Sequence, residues 1–151
     1  MDTSGDLNKE EKMKTVVASG FFDPIHVGHL EYLRLAKEFA NSKGARFIVI
    51  VDDDKKCLLK KGFEFMPFNE RLEIVKAIRY VDEVFSSIDQ ELNCIESLRF
   101  LKPDYFVKGG DRTSDNIPEK AICEELGIEM VFGLGGKVQS SSWLINKLLN
   151  R

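Results

Sequence analysis

Short apolar runs alternate with amphipathic segments along most of this chain, and this alternation most constrains its fold. Helices are predicted from Leu30 to a stop at Gly44, at 69–78, 89–101 and 117–126, and after Ser140. Strands are predicted at 15–19, 45–51, 83–87, 104–108 and 129–134. Strands that alternate with helices predict an α/β fold with a parallel sheet covered on both faces. We therefore expect a single-domain, Rossmann-like three-layer sandwich with a five-stranded parallel sheet.

The first strand and the first helix meet at Ser19-Gly-Phe-Phe-Asp-Pro-Ile-His-Val-Gly-His-Leu, which contains both histidines of the chain. Backbone N–H groups at a helix start lack intrahelical partners and carry the positive end of the helix dipole. His26 and His29 are three residues apart and therefore neighbours on the first turn, and Gly28 permits close approach to the backbone. The junction predicts a site for phosphate oxygens.

Two less specific interpretations of the histidine pair are a partial metal site and ordinary polar residues at a helix start. A zinc site would need a third and a fourth ligand, and the sequence offers no evident candidates. The ten-residue context, with a strand before it and a helix after it, favours phosphate binding.

Gly20-Phe-Phe-Asp-Pro-Ile-His-Val-Gly-His resembles the G-x-F-D-x-x-H-x-G-H signature of the cytidylyltransferase-like nucleotidyltransferases. The resemblance implies that His26 and His29 stabilise the transferring α-phosphate while a phosphorylated acceptor displaces pyrophosphate from a nucleoside triphosphate. It also implies nucleotide binding by the rest of the motif, namely Gly20, Phe21, Phe22, Asp23 and Gly28. Mg²⁺ is expected with the triphosphate, and no dedicated protein metal site is expected.

Residues 55–67 lack a clear period and predict a long loop that could close over a ligand. Family members carry a lysine before a glycine here; Lys61 precedes Gly62 and is the better match, with Lys60 as the alternative. Within Glu70-Arg-Leu, Arg71 matches a family arginine that binds phosphate. A surface arginine in a helical i,i+4 pair is the alternative interpretation.

Three further segments carry candidate ligand groups. Asp52, Asp53 and Asp54 follow the second strand; they could hold a metal, but a solvated strand exit that caps the next element is favoured. The stretch 103–111 is similar to P-D-x-x-V-K-G-G-D of the heptose-phosphate adenylyltransferases, where the loop helps to hold the nucleotide. The serine-rich segment occupies the place of the family's final phosphate-binding motif. These two resemblances imply nucleotide binding by Lys108, Gly109, Asp111, Gln139, Ser140 and Ser141.

Composition limits the other classes of function. The formal net charge of −3 gives no general reason to expect nucleic acid binding, and no apolar run is long enough for a membrane. Residues 1–14 are polar and predict a flexible tail on a cytoplasmic protein, so that the nucleotidyltransferase domain is 15–151. The three cysteines are widely spaced and predict reduced thiols.

We therefore expect an enzyme that transfers a nucleoside monophosphate to a phosphorylated small molecule. The Lys108-Gly-Gly-Asp stretch favours ATP and a sugar phosphate, as does Gly135 standing where glycerol-phosphate cytidylyltransferases have an arginine. CTP with a polyol or amino-alcohol phosphate is the alternative, and a non-catalytic nucleotide-binding module is a second one. A P-loop and a dinucleotide-binding fingerprint are both missing from the sequence. Family members commonly form homodimers, which makes a homodimer possible here.

Overall fold

A computed structural model of the chain describes residues 13–109, 117–135 and 141–150; for 141 and 142 it describes the backbone alone. The strands are β1 (Lys14–Gly20), β2 (Ala45–Val51), β3 (Glu83–Ser86), β4 (Tyr105–Val107) and β5 (Glu129–Val131). The helices are α1 (Val27–Ser42), α2 (Asp54–Lys61), α3 (Phe68–Ala77), α4 (Ile95–Leu101), α5 (Lys120–Leu126) and α6 (Ser141–Leu149). A flexible tail was predicted over residues 1–14. Residues 1–12 lie outside the described part of the chain, and Lys14 belongs to β1.

The five strands form one parallel sheet in the order β3-β2-β1-β4-β5, as the sequence predicts. Successive side chains of a strand point to opposite faces, and β1 shows the result. Val16 and Ala18 pack beneath α1 and α3, whereas Val17 packs with the buried residues of α4 and α5. Both faces of β1 are buried, which explains why its sequence is continuously apolar.

Two predicted stretches differ most from the structure. Residues 54–61 form helix α2 and not a loop: the Asp53 side chain accepts the N–H of Lys56, and Gly62 ends the helix at φ 86°. The second difference concerns the helix predicted at 89–101, which begins only at Ile95. The buried carboxylate of Asp89 accepts the N–H groups of Glu96 and Ser97, so Asp89 holds the start of α4 from outside the helix.

Two leucines that lie at helical spacing from core residues are nevertheless exposed. Leu30, in the first turn of α1, is 41% exposed, and Leu92, which precedes α4, is 47% exposed. The helical period correctly places Leu33, Ala36 and Ala40 in the core. Periodicity is therefore reliable inside the helices and fails at their starts, where the chain turns away from the sheet.

Candidate active site

The candidate site lies at the carboxyl ends of β1 and β4. The chain leaves β1 towards β2 on one side, and β4 and β5 lie on the other side, so the strand order reverses between β1 and β4. In open α/β sheets, ligands bind outside the carboxyl ends of the strands at such a switch point. Gly20 ends β1 and Lys108 follows β4, so the histidine-containing stretch and the stretch 103–111 both begin at this edge of the sheet.

His26 and His29 stack on one another at the start of α1, with ring centroids 3.9 Å apart and planes inclined by 26°. The N–H of Gly28 donates to Nδ1 of His26, and the N–H of His26 donates to Nδ1 of His29, both at 3.1 Å. The imidazoles therefore bind two of the first-turn amides that the sequence predicts to be bare. Gly28 contributes to the site through its bond to His26.

These bonds determine the tautomer of each ring. A neutral imidazole has one donor and one acceptor nitrogen, and Nδ1 is the acceptor in both rings. The proton of each neutral ring is therefore on Nε2, which makes Nε2 a donor. Burial lowers the pKa of His26; burial, together with the neighbouring His26, lowers the pKa of His29 to about 3. Near neutral pH the pair consists of two neutral N–H donors, suited to phosphate oxygens.

Phe22 packs with its ring against the histidine pair at His29. Its ring is buried and lies 4.9 Å from the His29 ring, and its backbone has φ 54°, an uncommon value for a residue with a side chain. A Cβ atom on Gly20 would stand 2.9 Å from the Phe22 ring. Glycine is therefore required at position 20 by the packing of Phe22, which in turn supports His29.

Asp23 holds the segment after α2 against the β1–α1 junction. Its buried carboxylate accepts the N–H groups of Phe65 and Met66 and a 2.6 Å bond from Nζ of Lys61. Burial raises the pKa of Asp23, but the bonds from Lys61, Phe65 and Met66 outweigh it, and the net pKa is lowered. In this structure Asp23 and Lys61 bind one another, and their contacts with the nucleotide stay predictions.

Arg71 is a buried positioning residue. Its side chain is 0% exposed, which rules out a surface i,i+4 pair. Nε donates to the Met66 carbonyl, Nη1 to the carbonyls of Phe21 and Asp52, and Nη2 to the Asp54 carboxylate, all within 2.8 Å. The expectation that Arg71 contacts phosphate does not match this geometry, because every guanidinium nitrogen already has an oxygen partner. Arg71 instead ties the ends of β1 and β2 to α3.

A cavity of about 330 Å³ opens at the same sheet edge, a size typical of small-molecule sites. Its walls combine apolar and polar side chains. They comprise Ser19, Gly20, Phe21, Asp52, Leu59, Lys60, Leu92, Asn93, Cys94, Lys108, Pro118 and Glu119. His26 and His29 are not among them, although they follow Phe21 by five and eight residues. The cavity and the imidazole pair both lie at the carboxyl edge of the sheet, and residues 21–26 connect them along the chain.

Lys60, the alternative lysine, lines this cavity, and Lys61 does not. Nζ of Lys60 lies 4.9 Å from the centroid of the Phe21 ring, within cation–π range. Lys108 also lines the cavity, and its Nζ lies 5.1 Å from the centroid of the Phe106 ring. One cavity is therefore lined by two lysines, Lys60 and Lys108, together with the acidic residues Asp52 and Glu119.

The comparison with known proteins agrees with this geometry. A family model described as cytidylyltransferase-like matches residues 17–135. The chain belongs to this family. Like other cytidylyltransferase-like enzymes, it is a nucleotidyltransferase, and the resemblance carried by Gly20 to His29 is confirmed.

Individual relatives include two archaeal FAD synthases. That of Thermococcus sibiricus is 34% identical over 154 residues, covering 95% of this chain and 97% of the relative. That of Pyrococcus abyssi is 36% identical over 116 residues, covering 76% of this chain and 75% of the relative. The bifunctional protein HldE of Geobacter sulfurreducens is 33% identical over 147 residues, which are 93% of this chain but 28% of the relative.

Among solved structures, the lipopolysaccharide core biosynthesis protein from Thermoplasma volcanium GSS1 is similar in fold. The TM-score is 0.68 at 24% identity, and the match covers 84% of this chain and 99% of that chain. It supports the Rossmann-like architecture alone. Within the described ranges, no helix has the length and apolar character to cross a membrane.

A buried polar cluster at the cavity wall was not predicted from the sequence, in which the aspartate triplet was interpreted as solvated. Asp52 is buried, and Nζ of Lys56 donates to Asp52, to the Ser87 hydroxyl and to the Asn93 carbonyl at 2.7–3.0 Å. Burial raises the pKa of Asp52, and Lys56 partly offsets this effect. The i,i+4 spacing of Asp52 and Lys56 was the available signal. The prediction that the triplet caps the next element is confirmed for Asp53.

Of the remaining predicted nucleotide ligands, the structure describes Gly109, which follows β4, and the backbone of Ser141, which begins α6. A Cβ on Gly109 would stand 2.9 Å from the Leu134 carbonyl oxygen and 3.0 Å from the Tyr32 ring, so glycine is required there by close packing. The Tyr32 hydroxyl donates to the Val107 carbonyl and holds this strand end. Ser141 begins α6. Asp111, Gln139 and Ser140 lie outside the described residues.

Proposed function

We propose that the protein is an adenylyltransferase that joins AMP from ATP to FMN and thereby forms FAD and pyrophosphate. The observation that carries the reaction type is the stacked pair His26 and His29, whose Nε2–H groups are donors at the start of α1. ATP and FMN are inferred from the similarity to FAD synthases over nearly the whole chain. FMN was not among the acceptors considered from the sequence, which favoured a sugar phosphate.

In the proposed reaction, an oxygen of the acceptor phosphate attacks the α-phosphorus of ATP. The bond from that phosphorus to the oxygen bridging to the β-phosphate breaks, and pyrophosphate leaves with the electron pair. Negative charge on the α-phosphate oxygens is stabilised by the Nε2–H groups of His26 and His29. Since both imidazoles act as neutral donors, neither has to give up or accept a proton.

Mg²⁺ belongs to this proposal as part of the nucleotide complex, where it neutralises triphosphate charge. Such a metal keeps several water ligands and needs few protein carboxylates. No three His, Cys, Asp or Glu side chains converge in the described ranges as a dedicated metal site would need. The side-chain cations at the cavity, Lys60 and Lys108, complement the same phosphate charge.

Apolar side chains on the cavity wall support FMN as the acceptor, although polar groups line the same cavity. Phe21, Leu59, Leu92 and Pro118 contribute apolar surface, which suits a planar ring system better than a ring bearing several hydroxyl groups. A sugar phosphate is the second candidate acceptor. It is favoured by the likeness of residues 103–111 to the heptose-phosphate adenylyltransferases and by the similarity to HldE over 93% of the chain.

The test is an assay of the purified protein with Mg²⁺, with ATP or CTP, and with FMN or a panel of phosphorylated sugars. Pyrophosphate release and product mass are followed together. FAD formed from ATP and FMN supports the proposal. Turnover of CTP alone, or of a sugar phosphate but not FMN, would contradict it.

A further inference from the structure

Lys56 is a buried lysine in α2 that joins three segments of the chain. The residue is 1% exposed. Its Nζ donates to Oδ1 of Asp52 at 3.0 Å, to the Ser87 hydroxyl at 2.7 Å and to the Asn93 carbonyl at 2.7 Å. An ammonium group has three N–H donors, so each donor has a partner. Asp52 follows β2, Ser87 follows β3 and Asn93 precedes α4. One nitrogen atom therefore connects the ends of two strands to the segment before a helix.

Two of these three partners belong to the cavity wall. Asp52 and Asn93 line the cavity. Lys56 and Ser87 are not among its wall residues. Oδ1 of Asp52 and the carbonyl oxygen of Asn93 both lie within 3.0 Å of the same nitrogen. The Lys56 ammonium therefore fixes the distance between two parts of the wall without lining the cavity itself.

The wall segment formed by Leu92, Asn93 and Cys94 depends on such contacts, because it has no regular secondary structure. It lies in the connection between β3 and α4. The N–H of Cys94 donates to the Glu119 carboxylate, and the carbonyl of Asn93 accepts its hydrogen bond from Lys56. A carbonyl that loses such a donor is costly to keep away from water. Without Lys56, we therefore expect the wall segment to move until the Asn93 carbonyl reaches water.

We propose that Lys56 is a positioning residue, which holds the wall segment 92–94 against the end of β2 and thereby sets the affinity for the substrate that occupies the cavity. The inference rests on the proposed function, which supplies the two substrates of its test, ATP and FMN. Lys56 does not contact the substrate in this arrangement, because all three of its donors bind protein atoms. Its loss acts through the shape of the cavity.

The first test follows the wall segment through the thiol of Cys94. Cys94 and Cys123 are both buried, and they belong to the same core cluster. In Lys56→Met, the side chain keeps the apolar chain of lysine but has no donor. We expect iodoacetamide to modify Cys94, relative to Cys123, about tenfold faster than in the wild type, the equivalent of one hydrogen bond. Peptide mass spectrometry measures both rates. No acceleration, or an equal acceleration of both thiols, would overturn the inference.

The second test is kinetic. KM for ATP, KM for FMN and kcat are compared between Lys56→Met and the wild type. We expect KM for at least one of the two substrates to rise about tenfold, and the KM that rises identifies the occupant of the cavity. Two unchanged KM values would overturn the inference. A fall in kcat alone would also overturn it, because Lys56 would then act on the reacting phosphate and not on the cavity.

Lys55→Met is the matched control for the loss of a positive charge. Lys55 is exposed and directly precedes Lys56, and its Nζ binds the exposed side chain of Gln90 in the same connection. Gln90 does not line the cavity. We expect Lys55→Met to keep both KM values within about twofold of wild type and to leave the ratio of the thiol rates unchanged. An effect equal to that of Lys56→Met would show that charge alone is responsible, and the inference would be wrong.

A second pair of variants guards against an unfolded protein, because removing one partner of a buried ion pair is strongly destabilising. If Lys56→Met does not fold, the substitution is made together with Asp52→Asn, so that no unpaired charge remains. The double variant is then compared with Asp52→Asn alone, which isolates the effect of Lys56. The expected and the contradicting results are the same as for the single variant.

Failure of the proposed function is visible separately, in the wild type. If the wild type converts a sugar phosphate but not FMN, the FMN proposal is wrong, and KM is measured for that sugar phosphate. If the wild type converts no acceptor, the proposed function fails, and the thiol rates decide the inference by themselves. An unchanged ratio of the rates at Cys94 and Cys123 then overturns it.

Discussion

The backbone N–H of His26 donates to Nδ1 of His29, three residues along the chain, at 3.1 Å. The two residues thus close a reciprocal turn, in which each ring uses Nδ1 to bind the backbone and leaves Nε2–H as a donor. Nδ1 has a structural role and Nε2–H a chemical one, so a substitution that keeps an acceptor but removes the Nε2–H donor separates the two roles.

His29→Asn tests this separation. The asparagine side-chain oxygen can replace Nδ1 as acceptor of the His26 N–H, but nothing replaces the Nε2–H donor. We expect kcat to fall by about 10²- to 10³-fold, the usual loss for one transition-state donor, while the melting temperature changes little. Steady-state kinetics and thermal unfolding check the two expectations. Turnover equal to wild type would remove His29 from the mechanism.

The free energy of unfolding should depend on pH through the same residue. The pKa of His29 is lowered to about 3 in the folded protein from an ordinary value of 6.5. Between those values the unfolded state binds the proton more readily. The contribution of His29 to stability is therefore complete above about pH 6.5 and is lost progressively as the pH falls towards 3.

Urea unfolding of the wild type and of His29→Asn between about pH 7.5 and pH 4.5 measures this effect. Other titrating groups are common to both proteins, so the difference isolates His29. We expect the wild type to lose more stability than the variant as the pH falls. If the free energy of unfolding depended on pH in the same way in both proteins, the pKa of His29 would not be lowered in the folded state.

Lys60 and Lys61 should respond differently to removal of their charge. Lys60 lines the cavity, so Lys60→Met is expected to raise KM for a phosphate-bearing substrate about tenfold with little change in melting temperature. Lys61 binds the buried Asp23 carboxylate, so Lys61→Met should lower the melting temperature and loosen the segment around Phe65. Kinetics and thermal unfolding of the two variants form a matched pair. The opposite pattern would support Lys61 as the phosphate ligand.

Arg71→Met should act mainly on stability. The substitution leaves the carbonyls of Phe21, Met66 and Asp52 without their buried donor, and the Asp54 carboxylate without its partner. We expect a loss of about 3 kcal/mol in the free energy of unfolding, measured in urea. If stability were retained while KM for ATP rose, Arg71 would be a phosphate ligand as the family resemblance implies.

The order of elements and the first motif were predictable because both depend on local pattern. The strand at 45–51 is recognisable from its continuous apolar run. The helix ends near Gly44 and Gly127 are recognisable because glycine readily adopts the left-handed backbone found there. The loop predicted at 55–67 is confirmed over 62–67 but was wrong over 55–61, because α2 is short and polar and its few buried residues leave little periodic signal. The cytoplasmic location and the homodimer stay predictions.

The sequence by itself determined the α/β class, the strand–helix junction and the presence of two histidines on its first turn. Only the tertiary structure decided which lysine faces the cavity, that Arg71 is buried, and that Glu119 approaches Cys94, 25 residues away in the chain. These assignments depend on side chains that meet across the sheet edge. The direction of such a side chain is set by its contacts with residues from distant segments of the chain. Periodicity and motif spacing do not encode these contacts.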